Sequence, residues 1–544
     1  MRTDIGDTDP RLLEMRQQAQ TMRTGGPRLP AIGREQSGRV QACKRIWTIS
    51  QANDLRNESR VMPKPGQTAA DSTANAAHKT AVHKTAAHKA ARQGLCLTLA
   101  LLLGLTTTIN SAFAVSGIRD AETEAMIRGY ADPIIKAAGL DPDQIPIYIL
   151  NDPSINAFVT PGNAMFLHTG LILQADRPLQ VKGVIAHEMG HIYGNHTYRI
   201  REGGKAASVP ILLGMLLGAA AIAAGSADAG IAAIQGGQHI GERTFLRFSR
   251  EFEASADQAA ITFMDKTGQS SLGLIEVTEK FRREVALSTR NANPYTQTHP
   301  LPPERIAALK SRALESPYAD KQESQEELFT FALVQAKLRA FLSRPEQTLK
   351  YYPFHENNIP ALYARAIAYY HYPDVERSLE LTERLIELMP DYPYFYEFAG
   401  QLLFENGRAA QAMPYLKTAV ELKPKEALFR VAYAQALLAT EVREVTDEAL
   451  DHLKVAVQME PTNSFAWYLS AIAYDRQQDP GLANLATAER YYHIQRLGEA
   501  FVFAKQALPK LQKGTPQWQR AADIVQVTAQ AGAEEALKRG RRPN

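Results

Sequence analysis

Two histidines and a glutamate stand in one short apolar stretch, Val184-Ile185-Ala186-His187-Glu188-Met189-Gly190-His191-Ile192-Tyr193. On an α-helix, positions i and i+4 share a face, so both imidazoles can reach one metal ion. Glu188, next to the first of them, can hold a water at that metal and take its proton. Gly190 leaves room for another backbone to approach the helix. The chemistry predicted is zinc-assisted hydrolysis, with one Zn2+ per chain. A catalytic zinc takes three protein ligands and keeps a fourth position open. A later helical segment, Ser249-Arg250-Glu251-Phe252-Glu253-Ala254-Ser255-Ala256-Asp257, supplies the third. Glu253 and Asp257 are four apart and share a face, so Glu253 can ligate while Asp257 accepts a hydrogen bond from a ligating histidine's outer nitrogen. Alone, either pattern fits a solvated helix face. Together they describe a metal site with His187, His191 and Glu253 as ligands.

The combination His187-Glu188-x-x-His191 with Ser249-Arg250-x-x-Glu253-x-x-Ala256-Asp257 resembles the gluzincin metallopeptidases of the HtpX and CAAX-prenyl-endopeptidase lineage, over about residues 117–312. Asn156-Ala157-Phe158-Val159-Thr160-Pro161-Gly162 and Thr298-His299-Pro300 are similar to that lineage as well. The resemblance implies peptide-bond hydrolysis, Glu253 as third ligand and Asp257 as its supporting residue. Ser255 departs from it, standing where many relatives carry a larger or acidic residue. For His299 three roles stay open: stabilising the oxyanion, occupying the open zinc position in a resting state, or capping the helix after Pro300. His168 and His196 read as structural.

These side chains need a scaffold. Segments 145–150, 157–160 and 165–171 read as short strands, with Pro161-Gly162-Asn163 as a turn between the last two. The strand nearest the zinc helix would offer an extended peptide an edge to pair with, making recognition largely independent of side chains. Between the ligands, residues 206–227 carry no charge. Alanine, glycine and Pro210 dilute this run, so it reads as a helical hairpin over the cleft that touches a membrane peripherally, rather than as a span.

The second half repeats. Leu385-Ile386-Glu387-Leu388-Met389-Pro390, Ala419-Val420-Glu421-Leu422-Lys423-Pro424 and Ala456-Val457-Gln458-Met459-Glu460-Pro461 recur at intervals of 34 and 37 residues. Thirty-four is the tetratricopeptide period. In the middle unit Phe398, Ala399, Leu402, Leu403, Gly407, Ala410, Ala412 and Leu416 fit a helix–turn–helix whose faces pack on neighbours. The predicted fold is an α+β zincin-type metalloprotease domain (115–312) followed by an all-α tetratricopeptide solenoid (325–530) and a basic tail (531–544).

Residues 1–92 are polar, contain a repeated His-Lys pattern from His78 to Ala91, and read as a disordered basic leader. The apolar run from Leu95 to Leu105, with basic residues before it and Ala112-Phe113-Ala114 after it, reads as a signal peptide within 93–114. Met62 is an alternative start. Both cysteines, Cys43 and Cys96, precede the expected cleavage, which leaves the exported chain no disulfide. A formal net charge of +3 over 544 residues, with no basic stripe, argues against a nucleic-acid partner.

Signal peptide, gluzincin domain and solenoid in this order resemble a family of periplasmic bacterial proteases. That implies hydrolysis of misassembled envelope or outer-membrane proteins, chaperone-like binding of unfolded or stalled clients through the repeats, and contact with the barrel-assembly machinery. Two rivals remain: a binding chaperone or assembly factor whose protease site is self-inhibited, and a membrane-embedded protease that uses 206–227 or 95–113 as a span.

Overall fold

The computed structural model describes residues 116–223, 227–287, 299–440 and 442–540, all within one compact unit, Thr48–Asn544. The leader, the signal peptide, Met62, both cysteines and the last four residues of the basic tail lie outside the described residues.

The first layer is a four-stranded sheet. Its strands are β1 (Gly117–Ile118), β2 (Ile147–Leu150), β3 (Ala157–Val159) and β4 (Met165–His168), in the spatial order β1-β2-β4-β3. β2 and β4 run parallel; β1 and β3 are antiparallel to their neighbours. Alternation turns Ile149, Ala157, Met165 and Leu167 inward, where all are buried. Helix α1 (Ala121–Ala137) starts at Asp120, whose side chain accepts the Thr123 N–H, and carries Glu122 and Glu124 in its first turn.

Three strand boundaries differ from the sequence reading, the smallest being β3, which ends at Val159 rather than 160. The segment expected to stay extended over 165–171 ends at His168 and turns into a short helix, α2 (Thr169–Gln174). The Gly170 N–H and the Thr169 hydroxyl both bond the Asp152 carbonyl, and Gly170 lies so close to the Pro153 and Ser154 carbonyls that no Cβ would fit. That packing, unreadable from local pattern, bends the chain. Strand β2 starts at Ile147 rather than 145 because a turn of 3-10 helix, Pro142–Gln144, precedes it.

Helix α3 (Pro178–Tyr193) carries the first motif. Pro178 opens it, with no N–H to leave unpaired. Every residue from Pro178 to Ile192 is buried, and Val181, Val184 and Ile185 meet Ile127, Ile134 and Ile135 of α1 in the main core. Helices α4 (His196–Ala223) and α5 (Ala227–Lys266) then pack along each other antiparallel. Gly214 and Gly237 face one another at the crossing, where a Cβ on Gly214 would come within 2.7 Å of the Ala233 carbonyl oxygen. The run 206–227, expected to form a hairpin by itself, supplies only the C-terminal half of α4; the other arm of the pair is α5, which starts at Ala227. Among the described residues no helix is long and apolar enough to cross a membrane. Helices α6 (Leu272–Leu287) and α7 (Pro303–Glu315) complete the domain.

Helix α8 (Gln325–Leu342) begins with a reciprocal cap between Ser324 and Glu327. It is apolar on two sides. Phe331, Val334 and Leu338 enter the protease core, while Leu333, Ala336 and Ala340 pack with Tyr363, Ile367, Phe395 and Phe398. After α9 (Pro345–Tyr351) the chain is a run of antiparallel pairs: α10 (Ile359–His371) with α11 (Val375–Leu388), α12 (Pro393–Glu405) with α13 (Ala409–Leu422), α14 (Ala427–Ala439) with α15 (Thr446–Met459), α16 (Ser464–Arg476) with α17 (Pro480–His493), and α18 (Leu497–Ala507) with α19 (Pro516–Gly540). An α+β domain is thus followed by an all-α solenoid, as the repeats require. In the α12–α13 unit, Phe398, Ala399, Leu402, Leu403, Ala412 and Leu416 are buried and Gly407 makes the turn at φ 77°, whereas Ala410 is exposed. Helix α19 continues through Gly540, so much of the segment set apart as a tail is helical.

Polar groups also join the solenoid to the protease domain. The Lys337 ammonium pairs with Asp120 and lies 3.2 Å from Glu122. The hydroxyls of Tyr363 and Tyr392 donate to the two oxygens of Glu122. Gln335 donates to the Ile172 and Ala175 carbonyls at the end of α2.

Candidate metal centre

Helix α3 presents His187 and His191 on one side, and α5 brings Glu253 and Asp257 across from them. Gly190 permits this approach, since the backbone of Ala256 in α5 occupies the space a side chain there would need. His299 arrives from the chain just before α7. All five side chains, and Glu188, are buried.

The inner nitrogens converge. His187 Nε2 and His191 Nε2 are 3.1 Å apart, and Glu253 places its Oε2 3.4 Å from the first and its Oε1 3.3 Å from the second. His299 Nδ1 lies 3.1 Å from both Glu253 oxygens and 3.3 Å from His187 Nε2. One ligand atom from each of His187, His191, Glu253 and His299 falls within 4.8 Å of all the others. Two imidazoles and a carboxylate, facing inward at these separations, are a donor set suited to zinc.

The outer nitrogens have close polar neighbours too. His187 Nδ1 lies 3.0 Å from Asp257 Oδ1. His191 Nδ1 lies 3.0 Å from His196 Nδ1, and the His196 ring stacks on Phe252. Arg305, in α7, grips Asp257 through Nε at 2.6 Å and Nη2 at 2.7 Å, and its Nη1 lies 2.8 Å from Glu253 Oε2.

Burial shapes the titration of the cluster. It favours neutral His187, but hydrogen bonds to Asp257 and Glu253 outweigh it and push that imidazole up to about 9. Burial holds His191 down to about 3 and His196 to about 4, so both are neutral, with lone pairs for bonding. For Glu253 burial acts upward, yet His299, His187 and His191 hold the carboxyl well below its ordinary range. Asp257 is likewise lowered, against burial, by Arg305 and His187. Glu188 is raised by burial. Its two oxygens have no hydrogen-bond partner among the described residues, and His299 Nε2 stands 3.5 Å from Oε1. A buried carboxyl with unused acceptors beside a metal-type donor set is suited to exchange a proton with water or substrate.

Every site residue singled out in the sequence is therefore in this one cluster. Two neighbours were missed. His196, read as structural, touches the outer nitrogen of His191. Arg305 carried no motif; its signal was electrostatic, because two buried carboxylates four residues apart call for a cation. His168 lies apart, with its Nδ1 2.9 Å from the Ser154 hydroxyl.

Fold and site together define a zinc metalloprotease. Residues 118–313 match the family model of peptidase family M48. The chain is similar to the beta-barrel assembly-enhancing protease of Escherichia coli (strain K12), with 24% identity over 383 residues, 69% of this chain and 76% of that protein. It is also similar to the mitochondrial metalloendopeptidase OMA1 of Saccharomyces cerevisiae, with 28% identity over 188 residues, 32% of this chain and 49% of that one. These findings bear out the resemblance drawn from the motifs. Among solved structures, the chain is similar to the tetratricopeptide protein YrrB, with 18% identity and a TM-score of 0.25 over 39% of this chain and 97% of that one.

Proposed function

We propose that the chain is a periplasmic zinc endopeptidase that cuts misassembled envelope or outer-membrane proteins, which its tetratricopeptide solenoid also binds in a chaperone-like way. The convergence of His187 Nε2, His191 Nε2 and the Glu253 carboxylate carries this reading. These three would hold the metal. Zinc there would acidify a water and polarise a peptide carbonyl. Glu188 takes the proton and returns it to the leaving amine, its raised carboxyl pKa matching both halves of that task. Asp257 orients His187, and Arg305 keeps Asp257 ionised while pairing with Glu253.

His299 favours a second, compatible reading. Its Nδ1 lies among the ligand atoms, which supports a resting state in which this imidazole would be a further ligand to the metal and would have to move aside to admit substrate. That is the self-inhibited form, in which client binding precedes cleavage.

The name of the Escherichia coli relative, with its reference to beta-barrel assembly, supports β-barrel proteins as the client class; that these are outer-membrane barrels, and that the solenoid contacts the barrel-assembly machinery, is part of the proposal. Peripheral membrane contact is assigned to α4, where Leu212, Leu213 and Leu216 are more than half exposed. The membrane-embedded alternative finds no spanning helix among the described residues, and 95–113 lies outside them. We place the boundary of the peptidase domain near 312 and the start of the solenoid at 325, with α8 shared.

Zinc content and casein cleavage, compared between wild type and Glu188→Gln, test the proposal. The expected result is equal zinc with cleavage abolished in the variant. Retained cleavage in a metal-replete variant would overturn the role of Glu188.

A further inference from the structure

Strand β3 is the last strand of the described sheet, and the sheet meets α3 chiefly through it. Its pairing with β4 matches Ala157 with Leu167, Phe158 with Phe166 and Val159 with Met165. The flanking bonds, Thr160 N–H to Ala164 O and His168 N–H to Asn156 O, show which pairs exchange hydrogen bonds. By alternation, Phe158 spends its backbone groups on β4, while those of Ala157 and Val159 point to the sheet's outer edge.

The outer face of this sheet carries an aromatic row. Tyr148 is paired with Phe166 across β2 and β4, and Phe166 with Phe158 across β4 and β3. The rings stack, with centroids 5.2 Å and 5.0 Å apart and planes within 25° and 13°. Tyr148 is 47% exposed, and both phenylalanines are half-buried. The row ends at Phe158, on the strand that faces the catalytic helix.

An antiparallel segment added to β3 would bond Ala157 and Val159, and so place one of its residues opposite Phe158 in a non-hydrogen-bonded pair. Side chains come closest in such pairs. That residue would continue the row on the outer face, while its neighbours on either side point inward toward α3. Strand β3 offers few backbone bonds: it has three residues, and Pro161 soon follows with no N–H to give. Each such bond nets little against water. A side-chain contact is therefore needed to fix the register.

We propose that the Tyr148–Phe166–Phe158 row is a specificity platform that selects extended segments by an aromatic side chain opposite Phe158. It rests on the peptidase reading only for the identity of what is cut. The chemical class of substrate is a strand-forming segment that carries an aromatic residue on one face of its alternating pattern, as membrane-barrel strands do where their apolar face meets an aromatic girdle. Recognition at this edge is then not blind to sequence.

The test uses the full, zinc-loaded chain and two short Thr/Ser peptides, one with a single central Phe and one without. With Glu188→Gln, binding is read without cleavage. The Phe peptide should bind about three- to ten-fold more tightly, the worth of an aromatic cross-strand pair. Adding Phe158→Ala should erase that preference, and Phe158→Tyr should keep it. In wild type, moving the Phe along the peptide should move the cut bond with it at a fixed offset. Equal affinities for the two peptides, or a preference that survives Phe158→Ala, would overturn the platform. Preferential binding with no cleavage by wild type would instead sink the peptidase reading and leave the platform standing.

Discussion

Gly190 lies so close to Ala256 that a Cβ on residue 190 would sit 2.6 Å from the Ala256 carbonyl oxygen and 2.8 Å from its Cα. That contact sets the distance between the helix bearing the histidines and the helix bearing Glu253 and Asp257. Gly190→Ala must push backbone away from backbone, with no flexible side chain to yield. We expect a destabilisation of about 1–3 kcal/mol, the usual cost of overpacking, together with weaker zinc binding. Thermal unfolding and zinc titration check this; unchanged values for both would show that the helices can part without consequence.

Losing a ligand and losing a base should separate cleanly. His187→Ala and Glu253→Ala should lose the metal, whereas Glu188→Gln should keep it. Asp257→Ala should weaken zinc binding by roughly 10–100-fold, since the outer nitrogen of His187 loses its partner. Metal analysis and competition with a chelator distinguish these cases. Normal zinc stoichiometry in Glu253→Ala would move the third ligand elsewhere.

His299→Ala reports on the fourth position. If the imidazole closes the site, its removal should raise casein cleavage several-fold and lower zinc affinity, because a donor has gone. If it acts on the developing oxyanion, cleavage should fall with zinc affinity unchanged. The 3.1 Å approach of Nδ1 to Glu253 leads us to expect the first result.

Acid should loosen the end of the solenoid in a defined way. Glu489, on α17, accepts two bonds from Arg520 on α19, at 2.6 and 2.8 Å. Burial acts to raise this carboxyl, but Arg520 and His493 prevail and lower it below its ordinary value of 4.5. A carboxyl depressed in the folded state contributes stability that is present above its unfolded pKa and is lost as pH falls through the folded one. The difference in thermal stability between wild type and Glu489→Gln should therefore be full at about pH 7 and shrink below about pH 4. A difference constant over that window would mean that the pair contributes nothing through ionisation.

What could be read from the sequence follows a physical line. His187, His191, Glu253 and Asp257 were legible because helical spacing puts each pair on one face whatever surrounds them. The repeats were legible because stacked units must conserve an apolar period, and Phe398, Leu402 and Leu416 are indeed buried. Arg305 and His196 were not, since their roles depend on which helices meet. The helical turn at Thr169–Gln174 was missed for the same reason: it answers to contacts with residues 152–154 rather than to its own pattern. The double allegiance of α8 is invisible in one dimension, where Phe331, Leu333, Val334, Ala336 and Leu338 simply look apolar.

That shared helix bears on any attempt to isolate the peptidase. A fragment of residues 115–312 contains every metal-site residue but ends before α8. Its core would then lack Phe331, Val334 and Leu338, each of which is almost completely buried in the full chain. Burying such a side chain is worth about 1.5–3 kcal/mol, so losing three of them is comparable to the whole stability of a typical domain. Lys182 would also lose Glu327, and the Asp120–Glu122 pair would lose Lys337. We expect the 115–312 fragment to show little cooperative unfolding by circular dichroism and to bind zinc weakly. A fragment extended to residue 342 should fold and hold zinc, with the solenoid-facing side of α8 newly exposed. It should cut unstructured peptides, yet fail to associate with outer-membrane clients if the solenoid recruits them. Suppose instead that 115–312 melts cooperatively near the full chain's temperature. Then α8 belongs to the solenoid alone, and its contacts with the protease core are dispensable. Crosslinking the 115–342 fragment to the full set of clients would, separately, return client selection to the cleft and its edge strand.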